Sequence, residues 1–162
     1  MTADRAELVG LKKRVTACFQ AAALASGCSL QLEWIGEPFL EIQSNDVLAG
    51  KWAAHFEALT GESVPAKFDP TGGLGSTDMG NVSQIVAAIH PCFKICDSDG
   101  CHTINFADAA VSARGEQQAL LATKAMFLTT LDVFSDAALL GKLKSEFAAT
   151  KARLDARATE FD

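Results

Sequence analysis

The chain is organised around the segment Gly75-Ser76-Thr77-Asp78-Met79-Gly80-Asn81-Val82-Ser83. It continues the stretch Asp69-Pro70-Thr71-Gly72-Gly73-Leu74, and the glycines and proline of residues 69–78 favour turns and positive φ angles. We predict a loop here that exposes backbone N–H groups. Such groups, together with the hydroxyls of Ser76 and Thr77, are suited to holding a carboxylate. A plain connecting turn is an equally good interpretation of the same residues.

After this loop, the sequence indicates a strand and then helices. Ile85–Ile89 is a continuous apolar run, which predicts a strand buried on both faces. From about Phe106 to Phe134 the apolar spacing is helical, and Ala119–Leu131 is apolar nearly all round, as in a core helix. Ser135-Asp136 then provides N-cap chemistry for a last amphipathic helix.

Before the loop, helices and strands alternate. Residues 8–25 have helical apolar spacing and end at Gly27, whereas Leu30–Trp34 and Phe39–Ile42 have the pattern of strands. Ser44-Asn45-Asp46 predicts the start of a second helix that Gly61 closes, and a short strand follows at about residues 64–68. This mixture of elements predicts an α/β or α+β class.

Composition excludes several classes of protein. The 162 residues carry a formal net charge of −6 and scattered basic residues, which is a poor match to nucleic acid. The charged N-terminal residues predict neither a signal peptide nor a membrane span, so we expect a cytoplasmic location. Five cysteines, an odd number, indicate free and buried thiols rather than a disulfide framework.

The segment 75–83, followed by Ile89-His90-Pro91 and Cys101-His102-Thr103, resembles the C-terminal signature of the aminoacylase/carboxypeptidase family of zinc metallopeptidases. The similarity is to the amidohydrolase branch that includes p-aminobenzoyl-glutamate hydrolase and aminoacylase-like dipeptidases. It implies an α/β fold: part of a zinc-exopeptidase-like catalytic domain over residues 44–162, preceded by the last helix and strand of an α+β lid domain over residues 1–43. Gln84, Cys92 and Asn105 depart from the residue types expected there.

The resemblance also implies the site residues. His102 matches the last metal ligand of the family, and Asn45 lies where the chain re-enters the catalytic domain. The loop residues Gly75, Ser76, Thr77 and Asp78 match the segment that meets the substrate, a small dipeptide or N-acyl amino acid. Without the resemblance, His102 would be interpreted as a histidine at a helix entry that bonds to nearby backbone.

The remaining metal ligands and the general-base Glu of the family have no counterpart in this sequence. A catalytic zinc needs about three protein ligands. We therefore expect zinc in a complete family enzyme, no tightly bound metal in this chain alone, and no activity of the isolated chain. Cys92, Cys96 and Cys101 could be grouped with His102 as a zinc cluster, but in an extended segment the sulfurs of residues 92 and 96 would be roughly 13 Å apart. A turn in place of a strand would leave the cluster open; buried free thiols are the favoured interpretation.

These expectations leave three functions open: the C-terminal segment of a metal-dependent amidohydrolase, a non-catalytic interaction or regulatory module derived from that fold, and one half of a split enzyme. In the family the lid commonly mediates dimers. Residues 1–43 therefore predict a homodimer through the lid remnant, with internal packing of the same residues as the alternative.

Overall fold

The computed structural model describes residues 5–67, 76–97 and 100–158, and within them the chain forms six helices. They are α1 (Arg5–Ser26), α2 (Asp46–Thr60), α3 (Met79–Ser83), α4 (Ile104–Ala110), α5 (Ala113–Ser135) and α6 (Ala137–Ala158). The predicted first, second and last helices are confirmed. The helical pattern predicted from about Phe106 to Phe134 is divided between α4 and α5, because Ser112 accepts a hydrogen bond from the Gly115 N–H at 3.1 Å and starts a new helix.

The predicted strands are absent from these described ranges. A strand is defined by pairing with a neighbour, and here Ser44 and Ala88 form an isolated parallel bridge. Residues 28–43 form no ladder of interstrand hydrogen bonds, and residues 84–86 form the turn after α3. The expectation of a strand at Ile85–Ile89 buried on both faces is wrong, since Ile85 and Val86 are exposed. The α/β architecture implied by the resemblance stays a prediction.

The core forms where α2 crosses α5. Trp52 and Phe56 of α2 stack with ring centroids 4.9 Å apart, and both pack against Ala122 and Ala125 of α5. The small alanine side chains admit the two large rings, and the Trp52 indole N–H donates to the Ala122 carbonyl at 3.4 Å. Helix α6 packs on both α2 and α5, and α4 packs on α5.

Both ends of α2 are capped in agreement with the sequence. The Asn45 side chain accepts a hydrogen bond from the Leu48 N–H at 2.9 Å, and Gly61 ends the helix with φ 73°. The carboxylate of Glu146 on α6 accepts from the N–H groups of Asp46 and Val47, at 2.5 and 3.0 Å. Helix α6 thus completes the N-terminal cap of α2.

Helix α1 packs against none of the other described helices. Its apolar residues Val9, Phe19 and Leu24 are exposed, and the Lys12 ammonium lies 4.9 Å from the ring centre of Trp34. This cation–π contact joins α1 to the segment that follows it.

Helix α5 differs from the expected core helix. Ala122, Ala125 and Thr129 are buried, but Leu120 and Phe127 lie on an exposed face of the same helix. Only one side of α5 is covered by the described residues, so the prediction of burial all round is wrong.

Candidate functional site

Helix α3 forms the second half of the signature segment 75–83 and lies directly against the backbone of residues 38–43. Gly80 makes this possible: a Cβ at that position would lie 1.7 Å from the Leu40 carbonyl oxygen and 2.6 Å from its carbon. Those separations are far below any contact between real atoms, so the two backbones can meet only because residue 80 has no side chain.

Two polar side chains of the signature, and Gln84 directly after it, hold the neighbouring backbone. The Asn81 amide accepts from the Leu40 N–H at 3.0 Å and donates to the Pro38 carbonyl at 3.1 Å. The Ser83 hydroxyl accepts from the Gln43 N–H at 2.9 Å and donates to the Gly80 carbonyl at 2.7 Å. Gln84 donates to the Glu41 carbonyl at 3.2 Å. These side chains supply the partners that a neighbouring strand would otherwise provide.

Sequence reasoning did not assign a role to Gly80, Asn81, Ser83 or Gln84. Their partners lie about forty positions earlier in the chain. A glycine followed by three hydrogen-bonding residues within five positions was the available signal, but it does not say which backbone is held.

The substrate-contact residues predicted from the loop lie at the N-terminal end of α3. Ser76 and Asp78 are exposed and Thr77 is half-buried. The Thr77 hydroxyl accepts from the Met79 N–H at 3.3 Å, whereas the Asp78 carboxylate makes no capping bond to the helix. Gly75 lies outside the described residues, as does the stretch 68–74 before it. Substrate contact by these residues stays a prediction.

Asn45 is buried and has a structural role. Besides accepting from Leu48, its side-chain amide donates to the Leu143 carbonyl at 3.3 Å, and its backbone N–H donates to the Ala88 carbonyl at 3.0 Å. With 4% of its surface exposed, the side chain is committed to joining α2, α6 and the segment at Ala88. Its predicted contact with substrate is not tested by this geometry.

His102 has an unusual backbone conformation. Its φ is 68°, and it is the single non-glycine residue with positive φ in the described ranges. Histidine adopts this region more readily than most residues, yet such positions cost free energy and cluster at functional sites. His102 is exposed and immediately precedes Thr103, whose hydroxyl caps α4 by accepting from the Phe106 N–H at 3.2 Å. The α4 N-cap therefore fixes the chain next to His102.

The described residues do not fit a complete zinc centre. Within them, no three His, Cys, Asp or Glu side chains come together in a group that could hold a metal ion. His102 would supply one imidazole, and about three protein ligands are needed. No catalytic step through a metal can be derived from these residues alone.

All five cysteines lie in the described residues, and no disulfide joins them there. Cys96 is half-buried, but Cys18, Cys28, Cys92 and Cys101 are exposed, so the expectation of buried thiols is wrong. Partial burial raises the pKa of the Cys92 thiol, and the nearby Cys101 raises it further. The Cys92 thiol is therefore a poor nucleophile at neutral pH.

Two clusters of charged residues each include one residue of α5. Asp132 accepts from the His55 Nε2 at 3.0 Å and lies 3.2 Å from the Lys51 ammonium, and these contacts, His55 first, lower the pKa of the carboxyl. His55 thus joins α2 to α5.

The second cluster ties the loop before His102 to the start of α5. The Arg114 guanidinium donates to both carboxylate oxygens of Asp97, at 2.8 and 3.4 Å, and Lys94 lies 2.8 Å from the same carboxylate. The Arg114 hydrogen bond is the main cause that holds the pKa of Asp97 far below its usual range, and Lys94 adds to it. Asp97 is therefore charged at every ordinary pH.

None of the helices in the described part of the chain is both long enough and apolar enough to cross a membrane.

Two known proteins that are similar to most of this chain carry the same name. No family model matches the chain. The Xaa-Arg dipeptidase of Mus musculus is 36% identical over 141 residues, which are 87% of this chain and 33% of that protein. The Xaa-Arg dipeptidase of Homo sapiens is 35% identical over 146 residues, 87% of this chain and 32% of that protein. The chain spans about a third of the length of the curated relatives it matches. Over most of its own length, the chain is thus similar to proteins named as dipeptidases.

Proposed function

We propose that this chain is one segment of a metal-dependent dipeptidase or related amidohydrolase, that it contributes His102 as one metal ligand, and that it does not catalyse the reaction alone. The similarity to Xaa-Arg dipeptidases, which extends over 87% of the chain, is the observation that carries the proposal. In this proposal, residues 1–43 form the end of a lid domain, and residues 44–162 form the returning part of an α/β catalytic domain.

The geometry of His102 supports its assignment as a ligand. Thr103, the residue after His102, caps α4. This cap holds the adjacent chain, so the structure maintains the unfavourable positive φ of His102. Backbone positions of this kind cost free energy and cluster at functional sites, which supports a functional role for the side chain at position 102. The complete site would use two zinc ions, with the other ligands and the general-base Glu from residues not found in this sequence.

The substrate proposed is a small dipeptide, with arginine as the first candidate for the C-terminal residue because the relatives are named for it. Ser76, Thr77 and Asp78, with Gly75, would meet this substrate. The exposed Asp78 carboxylate, which is free of helix capping, is suited to a cationic group, since guanidinium and carboxylate form strong charge-assisted hydrogen bonds.

A first experiment uses the purified chain. Its zinc content would be measured by inductively coupled plasma mass spectrometry, and hydrolysis of Xaa-Arg dipeptides and N-acyl amino acids would be followed with added zinc. We expect less than one zinc per chain and no turnover above buffer. Stoichiometric zinc together with turnover would refute the claim that the chain needs further residues.

A second experiment supplies those residues. In a chimera, this chain would replace the matched third of the mouse relative, and dipeptidase activity would be measured for the chimera and for two variants. His102→Ala is expected to abolish activity and to lower the zinc content. His90→Ala, which removes another exposed histidine, is the matched control and should keep both. An active His102→Ala chimera with full zinc would disprove the ligand assignment.

An interaction module derived from the same fold is the alternative. An inactive chimera that folds and binds dipeptide without zinc would favour it.

A further inference from the structure

Helix α5 has two apolar faces, and the described residues cover one of them. The covered face packs on Trp52 and Phe56 through Ala122 and Ala125. The other face is a stripe, which we call the α5 stripe, formed by Leu120, Phe127, Leu131 and Phe134. Spacings of seven, four and three residues place these side chains along one side of the helix.

The α5 stripe is widely exposed. Its four residues retain 58%, 62%, 47% and 85% of their surface. At ~200 Å² for each side chain, the exposed apolar surface is roughly 500 Å². That is in the range of the largest patch on an ordinary monomer, and patches of this size are often functional.

A groove continues the stripe. It has a volume of about 410 Å³ and is lined by Leu59, Thr123, Lys124, Phe127 and Leu128. Phe127 belongs to both the stripe and the groove, and the walls of the groove are apolar. An occupant of the stripe would therefore also fill the space between α2 and α5.

The area of the stripe argues against a second copy of this chain as the occupant. A stable protein–protein interface buries about 800 Å² on each partner, and the stripe provides well under that amount. Within a single domain the stripe would be only one part of a larger contact, so its small area would not be an objection.

The dipeptidase relatives indicate what the larger contact is. They are about three times as long as the region they share with this chain, so two thirds of their length has to meet this third somewhere. The α5 stripe is also linked, through α4, to His102, the proposed metal ligand. A Cβ at Gly115 would lie 2.4 Å from the Ala109 carbonyl oxygen, so α4 and α5 touch backbone to backbone, and His102 lies two positions before α4.

We infer that the α5 stripe is the docking surface for the polypeptide equivalent to the other two thirds of a dipeptidase, and that docking there sets the position of His102 relative to the remaining ligands. This inference rests on the proposed function. The occupant is recognised by an apolar surface that complements Phe127 and Phe134 and inserts into the adjoining groove.

The test uses two separate polypeptides. The chain would be co-expressed with a tagged fragment of the mouse relative that contains the residues outside the shared region, and the complex would be measured by co-purification and light scattering. The variants are Phe127→Lys and Phe134→Lys. Val111→Lys is the matched control, because Val111 is also 85% exposed but does not belong to the stripe.

We expect a one-to-one complex for the unmodified chain and for Val111→Lys. Each stripe variant should weaken association about tenfold or more, as for a hot-spot residue. Circular dichroism of each isolated variant verifies folding, which is expected to persist because the substituted side chains are exposed. A melted stripe variant would be replaced by Leu131→Lys, which tests the same surface.

Three results would overturn the inference: no complex with the unmodified chain, equal weakening by Val111→Lys, or a homodimer of this chain that the stripe variants dissociate. Activity is measured separately. A stripe-dependent complex without dipeptide hydrolysis would leave the docking surface in place and reject the proposed function. Hydrolysis that the stripe variants do not affect would support the proposed function and reject the docking surface.

Discussion

The contact between α3 and residues 38–43 gives a sharp prediction: Gly80→Ala should destabilise the protein, although glycine-to-alanine changes within helices usually stabilise it. The new Cβ would lie 1.7 Å from the Leu40 carbonyl oxygen; the backbone of residue 80 fixes the Cβ position, and the oxygen is itself a backbone atom. No side-chain rotation can relieve that overlap. One of the two segments has to move.

The cost follows from what this movement breaks. Four hydrogen bonds of 2.9–3.2 Å join the side chains of Asn81, Ser83 and Gln84 to the backbone of residues 38–43. Each such bond contributes about 0.5–1.5 kcal/mol net, so losing most of them should lower the free energy of unfolding by about 2–4 kcal/mol. For a chain of this size that corresponds to a decrease in Tm of roughly 5–15 °C.

Gly141→Ala is the matched control. Gly141 lies within α6 with no atom within 4 Å of the position that its Cβ would take. The same substitution there should raise the free energy of unfolding by about 0.5–1 kcal/mol, because alanine loses less backbone entropy on folding. Urea titrations followed by far-UV circular dichroism would measure both variants. If Gly80→Ala changed the free energy of unfolding in the same direction as Gly141→Ala, the described contact would be wrong.

Three further predictions concern single side chains. Glu146→Ala should lower the free energy of unfolding by about 1 kcal/mol, since it removes the cap on the first two N–H groups of α2, and urea titration against Glu57→Ala, an exposed carboxylate on α2, would measure it. Asp132→Asn should destabilise at pH 7 and do so less as the pH is lowered toward 3: the folded-state pKa of Asp132 is lowered, so its stabilisation is present above the unfolded pKa and is lost as the pH falls through the folded one. A difference between urea midpoints that grew toward low pH would contradict this sign. His102→Gly should keep or raise stability, by up to about 1 kcal/mol, and abolish activity of the chimera, whereas a loss of stability would show that φ 68° is not strained there.

The helices could be predicted from the sequence where local chemistry marks their ends. Asn45 and Gly61 bound α2 as expected, since an N-cap side chain and a left-handed glycine act within a few residues. The break at Ser112 had a local signal too, a serine before a charged turn, but the apolar spacing across it obscured the signal. Local hydrogen bonds thus fix helix ends more reliably than hydrophobic periodicity does.

The candidate site was less accessible to sequence reasoning. The position of His102 came from the resemblance, and its positive φ follows from no local rule. Asn81 and Ser83 bind backbone forty positions away, which no local pattern shows. The family resemblance marked the signature but not this function, because a residue that holds a backbone and one that meets substrate are equally part of a motif.

The two principal errors about the fold have a common physical explanation under the proposed function. Leu30–Trp34 and Ile85–Ile89 have the composition of strands, but among the described residues the first has no pairing partner and the second has only the bridge of Ala88 to Ser44. Ala119–Leu131 has the composition of a core helix but one uncovered side. A strand needs a neighbouring strand for its N–H and C=O groups, and an apolar helix face needs a second layer. Both requirements would be met by additional polypeptide of the kind that makes up the other two thirds of the dipeptidase relatives. In the chimera, amide hydrogen exchange should therefore slow at Leu30–Trp34 and at Ile85–Ile89 relative to the isolated chain. Unchanged exchange at both segments would mean that their composition reflects something other than missing neighbours.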